Sequence, residues 1–163
     1  MTSRSVKDNG RQASTTKTRR VLIVDDAPTV RMYHRSILQA AGFETVEAGN
    51  GFEALELALV GKYDLMVVDV NMPQMDGFAL VERLRSDEVG ISWPIVMIST
   101  EAQDSDADSA YRVGANLFLI KPVEPDLLRR VADILTSPLP AAAAPLTGAS
   151  FVESSSTRRI EGS

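Results

Sequence analysis

The sequence predicts an α/β fold: a doubly wound, five-stranded parallel sheet covered on both faces by five helices. Three observations carry that expectation. Short apolar runs alternate along the chain with segments whose apolar residues recur at helical spacing. Runs such as LMVV and IVMI are apolar at every position, as strands buried between two helical layers must be. The runs are also separated by enough residues for the helical crossovers that parallel strands need.

RVLIV opens the order as the first strand. Pro28 then stands in a first helical turn, where a missing N–H does no harm, and the segment behind it sets Val30, Tyr33, Ile37 and Leu38 at helical spacing until Gly42 ends it. FETVEAG alternates enough to be the second strand. GFEALELALVGK is the second helix, with Phe52, Leu55 and Leu59 on one face. DLMVVDV is a buried third strand, followed by a loop holding Pro73 and Gly77 and by the helix FALVERLRS. PIVMIST is the fourth strand, EAQDSDADSAYRVG a polar helix ended by glycine, and NLFLIKP the fifth strand. EPDLLRRVADIL closes the order as a helix with Pro125 in its first turn.

The flanks are different in kind. Residues 1–18 are rich in Ser, Thr, Lys and Arg and are expected to be a disordered basic tail, because they hold too little apolar surface to offset the entropy of ordering. Residues 19–136 form the domain, and 137–163 a Pro/Ala-rich linker with a polar tail.

Composition removes several chemistries. The chain has no cysteine and one histidine, His34, so disulfides, zinc-thiolate sites, cysteine nucleophiles and multi-histidine metal sites are excluded. His34 itself is expected to be a solvated residue of the first helix. No apolar run is long enough to span a bilayer and the N-terminus lacks a secretory signal, so the expected location is cytoplasmic. Residues 21–136 carry nine Lys/Arg against nineteen Asp/Glu, and so acidic a body is a poor partner for nucleic acid.

In a sheet of this type ligands bind beyond the carboxyl ends of the strands. Asp25 and Asp26 stand at the end of the first strand, Asp69 at the third, Ser99 and Thr100 at the fourth and Lys121 at the fifth. Charged side chains are rarely buried unless paired or bound to metal, so an apolar strand ending on Asp69 calls for a reason. Three converging carboxylates would repel one another, and a hard divalent cation such as Mg²⁺, with Lys121, would balance them. The chain has neither a Ser/His pair for acyl transfer nor a GxxxxGK[ST] loop for nucleotides. A carboxylate can still attack phosphorus to give an aspartyl phosphate, with cations and hydroxyls stabilising the transferring oxygens.

The set Asp25/Asp26, Asp69 in DVNMPQMDG, Ser99 in MISTEA and Lys121 in KP resembles the receiver domain of two-component response regulators, in its stand-alone, CheY-like form. The resemblance covers about residues 19–136 and implies a flavodoxin-like sheet of order 2-1-3-4-5. It implies that Asp69 accepts a phosphoryl group from a histidine kinase and that Asp26, Asp69 and the Asn71 backbone carbonyl ligate Mg²⁺, with Asp25 acting through water. It further implies Ser99 and Phe118 as switch residues, Asn71 and Glu101 as residues that tune dephosphorylation, and a cis Lys121–Pro122 bond. Output would be a downstream protein (a motor switch, a kinase or an enzyme), with no catalytic activity beyond the domain's own phosphorylation and dephosphorylation. Phe118 lacks the hydroxyl of the tyrosine in the best-known chemotaxis regulator, and Asp104, Asp106 and Asp108 stand where that protein is basic, so the partner surface need not be the same.

Simpler readings exist for each residue. Asp69 alone could end a turn, Asp26 could cap a helix, Lys121 could be a surface lysine, and the methionines and Gly77 could be packing and loop residues. Trp93 is expected to be partly exposed ahead of the fourth strand. Three alternative functions compete: a Mg²⁺-dependent phosphohydrolase of the haloacid dehalogenase type, a phosphate sink, and a constitutive binding module. The hydrolase expects an aspartate two residues beyond the nucleophile, where this chain has Asn71.

Overall fold

Alternating strand and helix signals become ten elements in the computed structural model, which describes residues 17–138 apart from 87, 102 and 103. The strands are β1 (Arg20–Val24), β2 (Glu44–Ala48), β3 (Leu65–Asp69), β4 (Ile95–Ser99) and β5 (Leu117–Ile120). The helices are α1 (Pro28–Ala40), α2 (Gly51–Val60), α3 (Gly77–Arg85), α4 (Asp104–Val113) and α5 (Pro125–Thr136). All strand pairs are parallel, in the order β2-β1-β3-β4-β5. This is the doubly wound, flavodoxin-like arrangement. Most of the two tails, residues 1–16 and 139–163, lies outside the described residues. Among the described residues no helix is long and apolar enough to cross a membrane.

The period-two geometry of the central strands sends alternate side chains into two cores. Leu22, Val24, Met66, Val68, Ile95 and Met97 meet Ala54, Ala58, Leu80, Leu84 and Ala110 of α2, α3 and α4. Val21, Ile23, Leu65, Val67, Val96 and Ile98 meet Leu38 of α1 and Leu128, Val131 and Ala132 of α5. Strands β1, β3 and β4 are buried almost throughout, whereas β2 and β5 are half-buried because they form the sheet's edges.

Local signals fix the helix ends. Asn50 caps α2 by accepting from Glu53 N at 2.9 Å, and Asp76 caps α3 by accepting from Ala79 N at 2.8 Å. Gly42 and Gly114 follow α1 and α4 with φ of +88° and +104°, the left-handed conformation that suits glycine. At the amino ends of the strands Arg85 donates to the carbonyls of Gly114, Ile91 and Trp93 at 3.1, 2.6 and 2.8 Å and to Asn116 Oδ1 at 3.2 Å. One guanidinium thus ties the end of α3 to the starts of β4 and β5. Trp93 is half-buried, edge-on to Tyr63 with ring centroids 5.3 Å apart.

The structure decides which face of α2 meets the sheet and corrects one expectation, that of His34. The face of α2 that meets the sheet is Gly51, Ala54 and Ala58, while Phe52 and Leu59 point outward and Leu55 lies half-buried at the border. Small residues let the helix approach closely: a Cβ at Gly51 would sit 2.9 Å from Met75 Cγ. His34 is buried rather than solvated, because the helical period places it one turn before Leu38 on the sheet-facing side of α1. Tyr33, one residue earlier, is correspondingly exposed, and its hydroxyl donates to the Val123 carbonyl at 3.0 Å. Burial holds the His34 imidazole below its ordinary pKa, with Asp25 opposing that shift and Lys121 adding to it.

Candidate functional site

The carboxyl ends of β1, β3, β4 and β5 converge, and Asp25, Asp26, Asp69 and Lys121 meet there. Asp25 follows β1 directly. Its Oδ1 accepts from Ala27 N at 2.9 Å, and its backbone carbonyl accepts from Arg31 Nη1 at 2.7 Å. Arg31 is itself anchored, its Nε 3.2 Å from Glu47 Oε2 on β2. Asp69 is the last residue of β3, and Val70 behind it donates to the Ile98 carbonyl of β4 at 2.9 Å. Lys121 follows β5, with its backbone N donating to the Ser99 carbonyl at 2.7 Å. The Lys121–Pro122 peptide bond is cis.

Lys121 Nζ donates to Asp25 Oδ2 at 2.8 Å and forms an ion pair with Asp69 Oδ1 at 2.7 Å. Asp25 and Asp69 are only 2% and 4% exposed, so both acids depend on that one ammonium. Carboxylate oxygens of Asp25, Asp26 and Asp69 all lie within 4.8 Å of one another, with Asp26 on the solvent side. Three carboxylates against one ammonium leave a formal charge of −2. The donor set is all oxygen, partly buried and under-compensated, and therefore fits a hard divalent cation.

The electrostatics follow from burial and crowding. Burial pushes the Asp69 carboxyl above its ordinary pKa; the hydrogen bond from Lys121 opposes this, while the charges of Asp25 and Asp26 reinforce it. Burial alone would lower Lys121, but its hydrogen bonds to Asp25 and Asp69 and their charges outweigh that, so the ammonium is held above its usual value. Each group therefore favours the charged form of the other.

The remaining predicted residues lie around this centre. Ser99 is buried at the end of β4, its Oγ accepting from Glu101 N at 3.0 Å. Glu101 is exposed. Asn71 is exposed two residues past Asp69, and its Nδ2 donates to Thr100 Oγ1 at 3.1 Å. That link between the β3–α3 and β4–α4 loops was not foreseen: adjacent hydroxyls at 99 and 100 look alike in sequence, and only strand register separates the buried one from the exposed one. Phe118 is not among the converging groups. It pairs with Met97 midway along the edge strand β5 and packs, half-buried, on the core beneath α2, α3 and α4.

Gly77 has a sharper role than loop flexibility. A Cβ there would run into the Asp69 carbonyl oxygen and lie 2.9 Å from Val70 Cα, both backbone atoms that cannot rotate away. Its N donates to the Val70 carbonyl at 2.9 Å, so α3 starts in contact with the strand that carries Asp69. Gly77→Ala is expected to destabilise the protein by about 2 kcal/mol, as overpacking does. Thermal melting would read this as a fall of roughly 5 °C or more; an unchanged midpoint would show that the loop yields freely.

Comparison with known proteins was made against this geometry. Residues 21–133 match the response regulator receiver domain family. The chain is 35% identical over 118 residues to the chemotaxis protein CheY1 of Helicobacter pylori, a match covering 71% of this chain and 95% of that protein. It is 39% identical over 109 residues to the sensor protein EvgS of Escherichia coli, a match covering 67% of this chain but 9% of EvgS. Among solved structures, the chemotaxis protein CheY4 of Vibrio cholerae superposes with a TM-score of 0.68 at 35% identity, covering 72% of this chain and 98% of that one.

Proposed function

Because the chain belongs to the response regulator receiver domain family of two-component signalling, we propose that it is a phosphorylation switch whose acceptor is Asp69. The observation that carries this reading is the double engagement of Lys121: one ammonium holds a buried acid beside a second buried acid at a strand tip. An attacking carboxylate must be ionised although it is buried, and Lys121 supplies the compensation.

In the proposed reaction a carboxylate oxygen of Asp69 attacks the phosphorus of a phosphohistidine on a histidine kinase. A P–O bond forms as the P–N bond breaks, and the leaving imidazole nitrogen keeps the electron pair and takes up a proton. Phosphoryl transfer depends mostly on positioning and on positive charge at the transferring oxygens. Lys121, already 2.7 Å from Asp69 Oδ1, is placed to follow the new charge onto a phosphoryl oxygen. The Ser99 hydroxyl, which accepts from Glu101 N at 3.0 Å, keeps its own proton available for donation. A Mg²⁺ ion held by Asp26, Asp69 and the Asn71 carbonyl, with Asp25 acting through water, would add charge stabilisation at the same oxygens.

Output in this reading is a change in protein binding. Phosphorylation adds charge and acceptor oxygens at Asp69, draws on Ser99 and makes room for Phe118, which shifts a two-state equilibrium of the α4–β5–α5 surface toward the partner-binding form. Asn71 and Glu101 set how long the phosphoryl group survives. The proposed location is the cytoplasm, where a histidine kinase presents its phosphohistidine.

The test is incubation of the full chain with Mg²⁺ and acetyl phosphate, read by intact mass. One phosphoryl adduct per chain is expected, lost when EDTA is included. No adduct under conditions that label another receiver domain would overturn the assignment.

A further inference from the structure

The outer side of α2 is more apolar than a solvent-facing helix needs to be. Phe52, Leu59 and Val60 are 49%, 62% and 86% exposed, and half-buried Leu55 joins Phe52 and Leu59 into one stripe at i, i+3 and i+7. None of the exposed three is required for packing, because Gly51, Ala54 and Ala58 make the contact with the sheet. Helix α2 rests on β1 and β2 beside α3, at the edge where the sheet ends. Apolar residues at this spacing are what a helix offers to a second helix.

Charge narrows the occupant. The charged residues on α2 are Glu53 and Glu56, both exposed; Glu56 flanks the stripe, while Glu53 lies further round the helix with its Oε2 accepting from Gly49 N at 2.7 Å. A second copy docking here would set these acids against the same acids, which is unfavourable. A helix carrying Lys or Arg beside its apolar residues meets both features at once. The patch is far smaller than the roughly 1,200 Å² of a stable stand-alone interface, so it serves as one contact within a larger or transient complex.

We propose that the outer face of α2 is a docking surface for a cationic amphipathic helix of a partner protein. The surface lies at the β2 edge of the sheet, the opposite edge from β5, and none of its residues is among the converging acids or Lys121. A lost interaction here is therefore expected to leave phosphoryl acceptance intact.

The probe is a fluorescein-labelled helical peptide of leucine and lysine, followed by fluorescence anisotropy with the full chain at low salt. A Phe52→Ser/Leu59→Ser variant is expected to weaken binding about tenfold or more. Glu56→Lys, which leaves every apolar contact in place, should weaken it about threefold or more through charge alone. Ile120→Ser on β5 and Asp69→Asn should bind like the wild type, and a peptide with glutamate in place of lysine should not bind. Equal affinity for wild type and both α2 variants would overturn the proposal. So would a wild-type dimer, seen by sedimentation, that Phe52→Ser/Leu59→Ser dissolves, since the occupant would then be a second copy. A gain in affinity on replacing Arg158 and Arg159 by serine would overturn it in favour of this chain's own terminal segment.

Discussion

An Asp69→Asn protein is expected to take no phosphoryl group from acetyl phosphate or from a phosphorylated histidine kinase, and to melt at a higher temperature than the wild type. The first effect is chemical: an amide oxygen cannot form the acyl phosphate. The second follows from what Asp69 endures in the resting fold. Burial and the neighbouring charges of Asp25 and Asp26 raise its folded pKa despite the hydrogen bond from Lys121. Between the unfolded and folded values the native chain binds more protons than the unfolded chain, so stability falls as pH rises through that window and the loss persists at neutral pH. Asparagine escapes this penalty while keeping an oxygen for Lys121. The gain should be about 1 kcal/mol at pH 7, or several degrees, when measured in EDTA. It should shrink toward zero as pH drops below the ordinary aspartate range. A phosphoryl adduct on the variant would move the acceptor elsewhere, and a lower melting point at pH 7 would contradict the account of the acids.

Lys121→Met is the complementary experiment. It removes the ammonium paired with the carboxylates of both Asp25 and Asp69 and leaves two buried acids without it. Breaking a buried ion pair from one side costs about 3–5 kcal/mol. The deficit should be relieved in part by acid, which protonates the carboxyls, and by millimolar Mg²⁺. The wild type carries the opposite signature at alkaline pH. The folded pKa of Lys121 lies above its ordinary 10.5, so its stabilisation is complete below that value and disappears as pH rises through the folded value. The variant should lack this alkaline step. Phosphorylation by acetyl phosphate should slow about 10²–10³-fold, the usual effect of deleting one donor to a developing oxyanion. In a double variant with Asp69→Asn most of the lost stability should return, because the two groups form one network. Additive losses would mean that Lys121 and Asp69 act independently.

Much of this arrangement is legible in the chain because strand tips are marked twice, by the end of an apolar run and by an abrupt charged residue. Asp25, Asp69 and Lys121 each follow such a run, and parallel β/α alternation brings all such ends to one side. Helix faces are less legible. In GFEALELALV two sets of residues compete for the sheet, and the larger apolar set loses because the smaller one lets the helix come closer. His34 is misread for a related reason: the period of α1 decides its burial, while its polarity alone suggests the opposite. Thr100 and Ser99 show a third limit. Position alone places two hydroxyls at the end of β4; the family spacing favours Ser99, and Ser99, opposite Ile120 of β5, is the buried one.

The Arg85 cluster gives the domain a fulcrum. The end of α3 and the starts of β4 and β5 are joined by four hydrogen bonds from one guanidinium, so the amino ends of these strands are held in one place. A displacement at Ser99 or Lys121 is therefore expected to pivot about that fixed floor, at the opposite end of the same strands, and not to slide the whole layer.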